Sequence, residues 1–215
     1  MDFNVKRTQM STIKLGANTI KELPVFLGER DIIKSITLMP GVQSTGEFGT
    51  GFFVRGGSSD QNLILVEDVP LFNPSHMFGI HSSLNPDGVK EVTMMKSGIP
   101  AKYGERVSSV MDIRLGSEAE KASFTGGIGL MDTRLNLHVP FKDKKGSLLI
   151  GGRTSYSNWL LHKMPDSELK NSSASFNDIN ALLNIRIDNN NNFTLFAYKS
   201  EDNFSFEPTA PYHCQ

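Results

Sequence analysis

The second half of the chain alternates apolar and polar residues with a period of two, over stretches longer than a soluble strand usually needs. Within Gly129–Val139, Met131, Leu135, Leu137 and Val139 share one side, and Asp132, Arg134, Asn136 and His138 share the other. In the next segment Leu148, Ile150, Gly152, Thr154 and Tyr156 alternate with Ser147, Leu149, Gly151, Arg153 and Ser155. Phe176–Asp188 is the cleanest: Ile179, Ala181, Leu183, Ile185 and Ile187 oppose Asp178, Asn180, Asn184, Arg186 and Asp188, with Leu182 as the exception. Phe193–Phe206 reads as a fourth, less regular strand. Successive strand side chains point to opposite faces, so each segment predicts an antiparallel strand with one apolar and one polar face. These segments run to about ten residues or more, where strands usually have roughly 5–6. Their connections alternate short (Pro140–Gly146), long (Leu160–Ser175) and short (Asp188–Asn192). Long strands of dyad period with alternating turn lengths are the signature of an outer-membrane β-barrel. A half-buried sheet of a soluble protein alternates in the same way, so the pattern by itself leaves both readings open.

The first half has a different texture. Met1–Thr19 is polar and weakly patterned and reads as a linker. In Gly28–Met39 the residues Ile32, Ile33, Ile36 and Met39 fall at helical spacing, and Pro40-Gly41 stops the helix. The glycine-rich stretch Gly46–Gly57 lacks the Lys-Ser or Lys-Thr pair of a phosphate loop, since Ser58-Ser59-Asp60 follows Gly57. It reads as a loop entering a strand. Phe52–Val54, Leu63–Val66, Val92–Met95 and Val110–Leu115 are short apolar runs that predict buried strands, with hairpin-like turn residues over Gly56–Asn62. Asn85 is placed to cap a brief helix that has Pro86 at its first position. Ile20–Leu115 is thus a mixed α+β unit, and Ser117–Lys121 is a polar hinge to the alternating strands.

Composition narrows the function classes. Hydrophobic residues at 38% with 19 glycines are globular values, and 22 basic against 23 acidic residues lack the surplus of positive charge that nucleic-acid binding needs. One cysteine, Cys214, excludes a disulfide scaffold and a cysteine-based zinc site. No run reaches the roughly 18 apolar residues of a membrane helix, and Met1–Gly16 has no apolar secretion signal. His76 and His81 are near each other in sequence, but no His, Asp or Glu group has a metal-ligand spacing. No Gly-x-Ser-x-Gly elbow is present, and Glu67-Asp68, read as strand neighbours, face opposite sides. The residues therefore point to no catalytic group, metal or cofactor.

The order of several motifs identifies a family. Gly51-Phe52-Phe53-Val54-Arg55-Gly56-Gly57, followed by Asp60-Gln61-Asn62-Leu63-Ile64-Leu65-Val66-Glu67-Asp68-Val69-Pro70, resembles the plug domain of TonB-dependent outer-membrane receptors. Leu71–His76 is similar to the form found in Bacteroidota receptors. Asn85–Val92, Lys96–Gly104 with its Tyr103-Gly104 pair, and Arg106–Ile113 resemble the plug's last helix, strand and loop and its closing strand. Two departures stand out. Asp68 occupies the place of a common Gly, and Glu105 that of a second Gly after the Tyr-Gly pair. Asp tolerates a left-handed turn better than most residues.

The resemblance implies an α+β plug domain followed by the first antiparallel strands of a transmembrane β-barrel. It also implies a transporter, in which substrate binds outside and a TonB protein pulls from the periplasm so that the plug opens a path. Arg55 and Lys96 match the cations thought to lock plug to barrel carboxylates; the residues equally allow Arg55 to be satisfied inside the plug. The loops Gly56–Gln61 (Ser58, Ser59, Asp60, Gln61) and Phe72–Ile80 (Asn73, His76) are candidate substrate-facing segments. Substrates of the family are siderophores, cobalamin, oligosaccharides or peptides, and the partners are TonB, outer-membrane lipid and, in some systems, a lipoprotein lid. No segment of Met1–Thr19 stands out as the TonB contact box. A barrel of about 22 strands needs roughly 220 strand residues, and 99 residues follow Gly116 (215 − 116). The expectation is a fragment: linker 1–19, plug 20–116, and about four barrel strands in 117–215. A soluble β-rich binding module, with the Met131, Ile150 and Ile185 faces packed into a private core, is the competing reading.

Overall fold

The computed structural model describes residues 11–23, 25–26, 29–46, 51–79, 81–116, 121–142, 145–161, 163 and 172–205. The chain forms two compact units, Met1–Phe26 with Arg30–Glu120 and Leu27–Glu29 with Lys121–Gln215. In chain order the elements of the first half are β1 (Thr12–Gly16), α1 (Ala17–Lys21), β2 (Val25–Phe26), β3 (Glu29–Arg30), α2 (Ile32–Ile36), β4 (Val42–Ser44), β5 (Phe52–Val54), β6 (Asn62–Val66), β7 (Val69–Pro70), β8 (Ser75–His76), β9 (His81–Ser82), β10 (Val89–Met95) and β11 (Ser109–Leu115). The second half holds β12 (Ser123–Ile128), β13 (Asp132–Pro140), β14 (Gly146–Ser155), α3 (Asn158–Leu161), β15 (Ser173–Arg186) and β16 (Asn192–Ser205).

The first unit is built on a five-stranded sheet in the order β1-β10-β11-β6-β7. β10 is antiparallel to β1 and β11, whereas β6 runs parallel to β11. β11 is buried on both faces apart from Arg114, as a central strand with a parallel neighbour should be. Leu63, Leu65, Met95 and Val110 cluster on one face, with Ile99 and Tyr103 packed against them. The predicted helix over Gly28–Met39 is shorter than its periodicity suggests. Among the described residues of that segment Ile32–Ile36 is helical, and Asp31 fixes its start as the cap by accepting from Lys34 N–H at 2.8 Å. Asn85 caps the turn Pro86–Gly88 as expected, accepting from Asp87 N–H at 3.1 Å.

Three other expectations are corrected. Thr12–Gly16, read as linker, is an edge strand of the sheet. The Gly56–Asn62 segment closes no hairpin: β5 pairs with β4, while β6 pairs with β11 and β7. Glu67 and Asp68 are not strand neighbours but the two central residues of the β6–β7 turn, with φ of 50° and 65°.

The second unit is a five-stranded antiparallel meander, β12 to β16 in sequence order. Its first strand was not legible as such, because Ser123–Ile128 carries two glycines and only partial alternation. Continuous register from Asp132↔Ser155 to Pro140↔Ser147, and from Ser173↔Ser205 to Arg186↔Asn192, fixes which residues share a face. On β13 the polar residues Asp132, Arg134, Asn136 and His138 are buried, and Leu135 and Leu137 are exposed. On β14 and β15, Arg153 (3% exposed) and Asp178 (6%) lie inside, while Ile150 and Ile179 (40% and 54%) lie outside. This is the reverse of a soluble sheet, which gains about 1.5–3 kcal/mol for each large apolar side chain it buries. Among the described residues, nothing packs the Ile150 face into the private core that a soluble module needs.

Candidate functional site

In the first unit, the loop between β5 and β6 is held by short-range bonds. Gly51 (φ 119°) and Gly56 (φ 81°) take backbone that other residues avoid, and a Cβ on Gly57 would lie 2.3 Å from Ser108 Oγ. Ser58 begins a capping box: Gln61 Oε1 accepts from Ser58 N–H at 3.2 Å. Asn62 Nδ2 donates to Phe52 O at 2.6 Å, and Ser108 Oγ donates to Val54 O at 3.0 Å. The loop borders a groove of about 260 Å³ in which Ser59 and Asp60 meet Phe72, Asn73, Glu105 and Arg106. Phe72 is 83% exposed. Hydrogen bonds from Ser58 and from its own backbone N–H, and last the charge of Arg106, hold Asp60 below the usual carboxylate range against its desolvation.

Of the candidate substrate-facing residues, Ser59, Asp60 and Asn73 line this groove. Ser58 and Gln61 shape the loop. His76 is elsewhere: it is 1% exposed in β8 and pairs with His81 of β9. The lock candidates have partners inside the plug. Arg55 donates to Ser11 Oγ at 2.6 Å, and Lys96 Nζ donates to the Pro40 carbonyl at 2.7 Å.

The remaining motif residues converge on Arg114, which sequence reasoning did not single out. Its guanidinium grips Asp68 through two bonds of 2.7 and 2.5 Å, and its Nε lies 3.0 Å from Asp112 Oδ1. Tyr103 donates from its hydroxyl to Asp112 Oδ2 at 2.9 Å. Glu67 accepts from Leu115 N–H at 2.6 Å and lies 3.7 Å from Arg114. Burial pushes the Glu67 carboxyl up, against the pull of Leu115 N–H and Arg114, while Arg114 holds Asp68 low. Pro70, opposite Leu65, closes the same turn. Gly104 precedes Glu105, whose φ is 70°. Both departures from the family pattern, Asp68 and Glu105, therefore occupy left-handed backbone, which explains why glycine is common there. The signal that could have found the hub is charge: two carboxylates in the β6–β7 turn, and a carboxylate and one Arg two residues apart on β11.

In the second unit Arg153 donates to Asp178 Oδ2 from Nε and Nη2, at 3.0 and 2.8 Å, with the guanidinium 5.0 Å from the Phe176 ring. Among the described residues no group of three or more His, Cys, Asp or Glu could hold a metal ion, and no helix is long and apolar enough to cross a membrane.

An α+β plug sheet and a set of long strands with the apolar face outward define a plug-and-strand architecture. Residues 5–109 match the model of the TonB-dependent Receptor Plug Domain family. The chain is similar in fold to the siderophore receptor PirA from Acinetobacter baumannii, with a TM-score of 0.64 and 16% identity over 91% of this chain and 32% of that one. PirA from Pseudomonas aeruginosa gives 0.60 and 18% identity, over 91% and 36% of the two chains. The copper transporter OprC gives 0.60 and 15%, over 91% and 30%. The chain thus spans about a third of the length of these structures. No curated protein sequence matches it.

Proposed function

We propose that this chain is the plug and the first barrel strands of a TonB-dependent receptor in the outer membrane of a Gram-negative bacterium. The receptor takes up a nutrient by energised transport, and the reading is of a receptor rather than an enzyme. The observation that carries it is the inverted polarity of β13–β15, whose outward face is apolar and whose inward face holds Arg134, Arg153 and Asp178. Lipid is the solvent that such an outer face suits. Five strands leave two unpaired edges, which hydrocarbon does not tolerate, so the spanning barrel requires more strands than these. The plug family match and the receptors of similar fold support the same reading.

The groove formed by Ser59, Asp60 and Asn73 is the proposed substrate-facing part of the plug. Siderophore, cobalamin, oligosaccharide and peptide are the candidate cargo classes, of the Bacteroidota type by motif, with TonB and a surface lipoprotein lid as partners. Arg55 and Lys96 fill the lock role only by exchanging the partners they hold here. The test is cell fractionation of the receptor that carries this segment. Recovery in the detergent-extracted outer membrane, with heat-dependent gel mobility, is expected. A soluble monomer that melts cooperatively in water would overturn the reading. Substitution of Asp60 and Asn73 in that receptor should weaken ligand binding, and unchanged affinity would remove the groove from the substrate path.

A further inference from the structure

Two non-glycine residues of the plug hold left-handed backbone and are bonded to each other. Ser11 has φ 71° and Arg55 has φ 50°, a region that L side chains avoid. The Arg55 guanidinium donates to Ser11 Oγ at 2.6 Å. The Ser11 carbonyl accepts from Lys96 N–H at 3.2 Å, and Arg55 N–H donates to Gly41 O at 3.0 Å. Lys96 Nζ reaches the adjoining Pro40 carbonyl. Two distant segments thus meet at the residue that immediately precedes β1, and both also bond the Pro40-Gly41 carbonyls. That strand lies at the edge of the sheet and pairs with β10, with the exposed Lys14–Glu91 ion pair across the two strands. Strained backbone persists only where its surroundings over-determine it: Arg55 sits in the turn closed by Gly57 N–H to Val54 O at 2.9 Å, whereas Ser11 is held by the Arg55 guanidinium and the Lys96 amide.

We propose that Ser11 is a positioning residue that fastens the N-terminal arm to Arg55 and Lys96. Displacing the arm at residue 11 withdraws the hydroxyl acceptor of Arg55 and the main-chain acceptor of Lys96 in one step. Ser11 is then free to leave the left-handed region, while Arg55 keeps its backbone in the Val54–Gly57 turn and loses only its side-chain partner. Use of this fastening in transport rests on the receptor reading above, in which a partner pulls on the arm. The fastening itself does not.

The test is hydrogen exchange of the full chain carrying Ser11→Gly, Arg55→Gln or both. Glycine suits the backbone at residue 11 and removes only the hydroxyl. Each single variant should speed exchange at residues 12–16 and at the Lys96 amide by about threefold to tenfold, the scale of one hydrogen bond. The double variant should be no faster than the faster single one. Ser11→Asn, which keeps an acceptor and tolerates left-handed backbone, should restore exchange to within about twofold of the parent. Effects that multiply in the double variant would overturn the proposal. So would an equal acceleration at β6, since that reports global destabilisation. A whole receptor that takes up no ligand would count against the transport reading while leaving the exchange result standing.

Discussion

An arginine placed on the outward face of the β12–β16 sheet should cost stability according to its depth, and the register fixes that depth. Val139, Leu148, Leu183 and Leu195 form one outward row across four strands. On β15 the outward apolar residues continue through Ile179, Ala181, Leu183 and Ile185, and Ile187 follows the strand. At about 3.3 Å per residue, Ile179 to Ile187 covers about 26 Å along the strand, or about 20 Å of height at a tilt near 40°. That is close to the roughly 25 Å apolar band of outer-membrane barrels. The row of Leu183 lies at its middle. Leu195→Arg should therefore destabilise the receptor by about 2–4 kcal/mol, and Glu201→Arg, on the same face of β16 but beyond the band, by about 0–1 kcal/mol. Leu195 is 55% exposed, so in a water-facing sheet Arg there would change stability by no more than about 0.5 kcal/mol. Urea titration of the receptor folded in lipid vesicles measures the difference. If the two variants agree within about 0.5 kcal/mol, lipid does not cover this face and the barrel assignment is wrong.

Asp68→Gly should be near-neutral, because relief of the left-handed backbone offsets the loss of the exposed Arg114 pair, worth about 0.2–1 kcal/mol. Asp68→Ala loses the pair without that relief and should be less stable than Asp68→Gly by about 1 kcal/mol in a denaturant melt. The folded carboxyl of Glu67 protonates more readily than the unfolded one. Its ionisation therefore weighs against folding at neutral pH, and that penalty fades as pH falls through its raised pKa toward the ordinary value. Melts against pH should show the parent gaining on Glu67→Gln over that interval, and a constant difference would remove Glu67 as the cause. Asp31 also bonds Ser82 N–H at 3.1 Å, so Asp31→Ala should cost about 2–4 kcal/mol from the lost cap and charge-assisted bond together. Arg153→Met should cost about 3–5 kcal/mol by stranding the buried Asp178, and the double variant with Asp178→Leu should recover most of it; no recovery would mean that Arg153 acts mainly through Phe176.

The sequence exposed the parts of the fold that depend on local pattern. Period-two alternation over Phe176–Asp188 announced β15 because both faces are chemically distinct. Asn85-Pro86 announced its cap because the bond spans two residues. What stayed hidden depends on distant partners. Thr12–Gly16 is polar enough to pass for linker and becomes a strand only because β10 offers an edge. The Gly56–Asn62 segment has turn chemistry in either topology, and the parallel pairing of β6 with β11 spans more than forty residues of chain. In the candidate site Ser59, Asp60 and Asn73, named from the family resemblance, line one groove. The Arg114 cluster was not legible, because Glu67 and Asp68 join Arg114 and its strand neighbour Asp112 only after the β6–β7 turn has brought them there.

Alternation alone could not say which solvent each face meets. The plug sheet and the β12–β16 sheet are written in the same kinds of residue, yet the first buries Leu65 and Met111 whereas the second buries Arg153 and Asp178. A strand that must present one apolar and one polar face has nearly equal numbers of both, whichever face is turned inward. The averaged composition is therefore that of a soluble protein, with a mean hydropathy of −0.25. The physical difference appears in the cost of each face. A guanidinium and a carboxylate withdrawn from water need partners at hydrogen-bond distance, and Arg153 with Asp178 meet that need across adjacent strands. Exposed Leu135, Ile150 and Ile179 need a solvent without hydrogen bonds to lose. Either observation alone would fit a badly made soluble sheet. Together, on one sheet in one register, they are what the proposed barrel predicts, a polar inside and an outside that suits lipid.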